Sequence, residues 1–146
     1  MFTSKGNPKL TSNSLFFGAE SFIRQYPQIA QRVVKALVAS AKWAADQESD
    51  PAPVFQLWTR SGSTFSSYKE DWTGESLKYK LSPLLDPYVV TRHTFQIEQA
   101  KRLGLIRRSF DFGEMVNPTF LSAALKELAL VGFWKPRDAQ TGKPAS

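Results

Sequence analysis

The first seventeen residues constrain this chain most. Phe2-Thr3 and Leu15-Phe16-Phe17 are short β-favouring pieces separated by turn formers, Ser4-Lys5-Gly6-Asn7-Pro8-Lys9 and Thr11-Ser12-Asn13-Ser14. Two short strands alone are marginal in water. They need a sheet, and the remaining sequence offers almost none. From Gly18 onward the apolar spacing is helical. The chain therefore reads as mainly α with a short N-terminal β element.

The helical part carries clear punctuation. Glu20, Phe22, Ile23 and Tyr26 fit a short helix, and Pro27 suits the first turn of a second. Ile29, Ala30, Val33, Leu37, Ser40, Ala41 and Ala44 recur at three- and four-residue spacing, which predicts a stripe facing a core. Asp50-Pro51 and Asp86-Pro87 pair a capping side chain with a proline at the first helical position. Asn117-Pro118 repeats the signal. Gly62, Gly104 and Gly132 are plausible stops. Phe65, Tyr68 and Trp72 share one side of a further helix, whereas 74–83 reads as mostly loop and 105–116 as irregular or extended. Val89, Val90, His93, Ile97, Ala100 and Leu103 mark the face of a long helix to about Leu103. Three segments follow: hinge or strand at 1–17, a helical portion at 18–134, and a flexible polar tail at 135–146.

Composition removes several functions. With 146 residues the chain suits one domain, and no Cys means no disulfide, no Cys-held zinc and no thiol nucleophile. One histidine, His93, cannot build a His-based metal site, and no Gly-x-Ser-x-Gly elbow accompanies it. At mid-helix it reads as packed or half exposed. Glu70, Asp71 and Glu75 lie close in sequence, but adjacent acids at a surface helix end are common. Phosphate-cradling glycine motifs are missing. The reading is therefore non-enzymatic, with no metal and no cofactor.

Nineteen basic residues against thirteen acidic ones give a net charge of +6. With Phe 11, Trp 4 and Tyr 4, a basic helical nucleic-acid-binding module is one alternative. Lys101, Arg102, Arg107 and Arg108 are the densest basic stretch, interrupted by Leu103, Leu105 and Ile106, so a solvated surface is the plainer reading. Neither a signal-peptide core nor a run near the roughly 20 apolar residues of a membrane span is present. The turn-rich crossing between Phe2 and Phe17 is either a hinge or an ordinary hairpin loop. Residues 58–93 concentrate Trp58, Arg60, Tyr68, Trp72, Tyr79, Tyr88, Arg92 and His93, which fits either a pocket for an anion or interhelical packing.

The order of these pieces resembles a known family. Thr11-Ser12-Asn13-Ser14-Leu15-Phe16-Phe17-Gly18, then Phe22-Ile23-Arg24-Gln25-Tyr26-Pro27, Val33-Val34 and Trp43, is similar to a stretch of periplasmic solute-binding proteins of the nitrate/sulfonate/taurine type that serve ABC importers. Ile97 to Ile106, Ser109-Phe110-Asp111 and the Pro118–Leu128 helix look like its closing elements. The likeness spans roughly residues 11–134. It implies the C-terminal part of a two-lobed α/β fold about twice this length, captured solute being enclosed by hinge closure.

The resemblance further implies a small, anionic, nitrate- or sulfonate-like solute, an ABC permease as membrane partner, a periplasmic location and no nucleic acid. Asn13, Ser14, Trp72 and Arg92 are the candidate ligand-binding residues. A thiamin-precursor-type enzyme sharing the fold is a second alternative, although this segment lacks the His or Cys cluster it needs. Helices that cover a sheet elsewhere would here leave apolar faces bare, so self-association or a rearranged helical bundle is expected.

Overall fold

The computed structural model describes residues 14–144, so the turn-rich segment before Ser14, including Asn13, lies outside the described residues. Seven α-helices follow in order. They are α1 (Glu20–Gln25), α2 (Pro27–Asp46), α3 (Ala52–Trp58), α4 (Phe65–Trp72), α5 (Leu77–Lys80), α6 (Pro87–Arg102) and α7 (Thr119–Glu127). Short 3₁₀ turns occupy Thr59–Ser61 and Phe112–Met115. The only β pairing among the described residues is an isolated antiparallel bridge between Arg137 and Pro144. Leu15-Phe16-Phe17, expected as a β piece, is irregular. No described strand lies beside it to complete its hydrogen bonds, and lone extended segments do not hold.

The punctuation placed most boundaries within a residue or two. Asp86 caps α6, its Oδ1 accepting from the Val89 N–H at 3.0 Å, with Pro87 inside the first turn. Thr64 does the same for α4 through the Ser67 N–H. Asp50 and Asn117 cap one residue differently than expected: each accepts from the N–H two residues on, so α3 and α7 begin just after their prolines. The loop expected at 74–83 contains α5, which Ser76 caps and which buries Leu77. There one buried leucine outweighs weak local propensity.

Helix α2 is the spine. One end packs Ala44 with Val54, Phe55 and Leu77, and the aromatic rings of α3 and α4 close over them. Its middle packs Val38 against Ala124 of α7 and Trp134. The face chosen corrects the sequence reading. Ala30, Val38, Ala44 and Ala45 are buried, whereas Ile29, Val33 and Leu37 remain 45%, 36% and 46% exposed. The predicted stripe is real, but α7 covers only the adjoining strip, shifted round the helix by about one residue's 100°.

A buried ion pair ties the end of the chain to this frame. Asp86, already capping α6, accepts from the Arg137 backbone N–H at 3.1 Å, from Nε at 2.8 Å and from Nη2 at 3.3 Å. Both side chains are almost wholly enclosed. Nearby, Trp134 is buried and its Nε1 donates to the Lys78 carbonyl at 2.9 Å, joining the same stretch to α5. The residues after Lys135 were expected to fray. Their polar composition hid one arginine whose fork fits a buried carboxylate. Asp138 then holds a turn, its carboxyl kept below the ordinary aspartate range first by the Thr141 N–H, then by the Thr141 hydroxyl and the Gln140 N–H. Because that pKa is lowered, the turn's contribution is present above the ordinary value and fades as pH falls through the lowered one.

Removing one member of a buried pair leaves the other uncompensated, which costs about 3–5 kcal/mol. Asp86→Ala is therefore expected to lower the urea midpoint severely, and more than Asp46→Ala at the exposed Lys42–Asp46 pair. Equal midpoints for the two variants would remove the anchoring role of Asp86. Gly142 has φ +68°, and a Cβ there would sit 2.9 Å from the Tyr88 ring. Gly142→Ala should accordingly destabilise by about 1–3 kcal/mol in the same assay.

Candidate functional site

Three side-chain groupings could carry function. The first is an apolar groove of about 250 Å³. Phe16, Phe17, Phe22, Val33, Met115 and Phe120 are among its lining residues. Among the described residues no charged one lines it. Asn117 supplies its single polar side chain, and that oxygen is engaged by the Thr119 N–H at 3.0 Å. Such a groove can take hydrocarbon or a ring, but it holds no cation for an anion.

The second grouping is aromatic. Trp58 lies 5.0 Å from Trp72 and 5.5 Å from Tyr68, centroid to centroid, and Phe55 meets Phe65 edge-on at 6.0 Å. Tyr68 and Ser61 hydroxyls share a 2.7 Å hydrogen bond. Lys80 Nζ sits 4.5 Å above the Trp72 ring. The rings pack on Val54 and Leu77 and make the outer layer of a core. The sequence concentration at 58–72 is thus resolved mainly into packing, with one cation at its rim.

The third grouping surrounds the start of α6. Tyr88 is buried, with the Arg137 guanidinium 4.9 Å and that of Arg92 6.0 Å from its ring centre. Arg92 also lies 5.4 Å from the Phe95 ring. His93 stacks on Phe112 at 4.8 Å with the planes 22° apart. As expected of a mid-helix histidine, it is half-buried and packed. Phe112 in turn lines the groove, so His93 connects α6 to it through that ring.

The four candidate ligand residues do not converge as a set. Ser14 is exposed and immediately precedes the groove wall. Arg92 is half-buried on α6, one position before the histidine that backs Phe112. Trp72 belongs to the separate aromatic cluster, and Asn13 lies outside the described residues. Sequence reasoning did not select Phe112, Met115, Asn117 and Phe120. Phe112 and Met115 fall in a segment without periodicity, and Asn117 and Phe120 stand at the start of α7, where the Asn117-Pro118 signal marked a helix start and not a groove. Among the described residues no cluster of three metal-ligating side chains occurs, and no helix is long and apolar enough to cross a membrane.

If the Trp58–Trp72 contact is structural, Trp72→Phe should abolish the exciton feature of the paired indoles in circular dichroism. Melting should fall only modestly, because Phe keeps most of the ring area. An unchanged spectrum would mean the two indoles are not paired in solution.

Comparison with known proteins adds one informative likeness. No protein-family model and no curated protein matches the chain. A solved structure does: the periplasmic sulfonate-binding protein SsuA of a sulfonate ABC transporter from Methylobacillus flagellatus KT. It is 30% identical, with a TM-score of 0.70 over 81% of this chain. The aligned part makes up 36% of that protein, so the chain spans nearer a third than half of its length. The mainly helical chain therefore has the fold of part of a periplasmic binding protein, and the resemblance read from its sequence holds in three dimensions. The neighbour is a binding protein, not an enzyme.

Proposed function

From that fold we propose that the chain is a portion, in our reading the C-terminal portion, of the solute-binding component of an ABC importer. Its solute is small and anionic, of the sulfonate class, and its working location is the periplasm. The observation that carries this is the combined likeness in sequence and fold to a sulfonate-binding protein over four-fifths of the chain. The partner in the membrane is an ABC permease. Capture proceeds by closure of two lobes, the solute favouring the closed state through contacts that only that state makes. One lobe's share of those contacts comes from this chain.

Its chemistry supports an amphiphilic anion with the labour divided. The uncharged groove suits the carbon part of an organosulfonate. The Arg92 guanidinium, near the Tyr88 and Phe95 rings on α6, suits the anionic head. Nitrate lacks the carbon part and would use only the second feature. In this reading the Ser14 hydroxyl and the Asn13 amide orient the solute, and Trp72, which packs in the separate aromatic cluster, is a further contact.

Calorimetric titration with an alkanesulfonate, nitrate and a neutral sugar tests this. The chain alone supplies part of a cleft, so affinity in the weak range is expected, in the order alkanesulfonate, nitrate, sugar. Arg92→Gln should lower alkanesulfonate affinity about 10- to 100-fold, the worth of a charge-assisted hydrogen bond. Equal response to all three solutes, or indifference to the Arg92 change, would sink the reading.

A further inference from the structure

The segment that follows α6 carries a dense positive charge. Lys101 and Arg102 end the helix, and Arg107 and Arg108 come just after it. No acid lies between Gln99 and Phe110, and all four bases are exposed. Among the described residues none of the four makes an ion pair. Lys101 and Arg102 suit the negative end of the α6 dipole. Arg107 and Arg108 lie beyond that end and have no such local reason.

The leucines between the two basic pairs face water as well. Leu103 and Leu105 are 66% and 74% exposed. Backbone geometry fixes them there. Gly104, at φ +71°, turns the chain out of the helix. Its N–H donates to the Lys101 carbonyl at 3.0 Å, and the Leu105 N–H donates to the Ala100 carbonyl at 2.9 Å. This is the paired closure of a Schellman motif. That motif often tucks the residue after the glycine against the last helical turn, but here Leu105 stays in water. Across the loop, Lys101 Nζ donates to the Ser109 hydroxyl at 3.4 Å. The result is a preorganised apolar tip set between two pairs of cations.

We infer that this turn docks on a lipid bilayer surface rich in anionic phospholipid. Leu103 and Leu105 enter the headgroup boundary, and the four bases meet phosphates. The chemistry selects this occupant. A bilayer surface layers phosphate over hydrocarbon, so it satisfies both kinds of side chain at once. The long stems of Lys and Arg let their heads stay among phosphates while the leucines go deeper. A polynucleotide would pair the charges, but it gains from rings stacked on its bases, and Phe110 is the only aromatic residue from 99 to 110. A buried contact with more protein would have to desolvate four cations that meet no acid here, a cost two leucines do not offset. The inference goes beyond the proposed transport role and does not rest on it.

Co-sedimentation of the 146-residue chain with vesicles is the test. Vesicles of phosphatidylcholine mixed with phosphatidylglycerol should bind it, with affinity falling as salt rises, and phosphatidylcholine alone should bind it far less. Each base near an anionic surface is worth about fivefold, so Arg107→Gln combined with Arg108→Gln should weaken binding about 25-fold. Leu105→Ser should weaken it about tenfold. These positions are exposed, so melting should not change. Leu37→Ser, at a residue 46% exposed on α2, should leave vesicle binding as it is. The chain has no cysteine of its own, so Leu105→Cys can carry an environment-sensitive dye. Its emission should shift to the blue on mixed vesicles, whereas a dye on Leu37→Cys should not respond. No binding to mixed vesicles, or equal binding to both vesicle types, overturns the inference. So does binding that ignores both the arginine and the leucine changes. Tighter binding to a single-stranded polynucleotide than to mixed vesicles, unmoved by Leu105→Ser, also overturns it and assigns the turn to nucleic acid.

Discussion

The carboxylate of Asp86 holds more of this structure than any other single group. It ends the loop from α5, satisfies an orphan N–H of α6 and accepts three hydrogen bonds from Arg137. Because both charges are out of water, neither tolerates loss of the other. The anchored arginine brings Trp134 with it, and Trp134 reaches α5 and the α2–α7 core. Four helices, α2, α5, α6 and α7, are thus tied to one electrostatic knot. The position of α6, whose His93 stacks on the groove-lining Phe112, follows from it.

Around that knot the apolar packing is asymmetric. α2 buries mostly alanines and one valine and leaves its larger residues outside. In a self-sufficient helical domain the reverse would hold, since large side chains gain most from burial. The same imbalance recurs at the groove, where Phe16, Phe17 and Met115 stay largely exposed. Both fit a chain that spans about a third of the binding protein it resembles. The surplus surface has the composition of a core face, and a core face without its cover either finds a partner or stays costly.

Most of the helical layout was legible because its signals are local. Asp-Pro and Asn-Pro place a cap and a fixed φ side by side, and these marked the starts of α3, α6 and α7. The helix of Phe65, Tyr68 and Trp72 followed from spacing alone. The core face of α2 was not legible, because periodicity gives a stripe without saying which part a neighbour covers. Arg137 was missed for a similar reason: its partner lies 51 positions away, in a tail whose composition looks unstructured. The candidate residues were dispersed for the same reason: Ser14 precedes the groove-lining Leu15, Arg92 lies against Tyr88 and Phe95, and Trp72 packs on Trp58, which composition cannot distinguish from a pocket wall.

The Asp86–Arg137 contact also has a kinetic side. Helix α6 can form and be capped locally, but the arginine must close a loop of about fifty residues to reach its carboxylate, and long closures are entropically slow to gain. A contact of such long closure that forms only after the barrier shapes unfolding rather than folding. An interaction absent at the barrier does not speed folding; it slows escape from the native state. The ion pair acts as a lock on unfolding, setting how long the helices stay assembled once they have met.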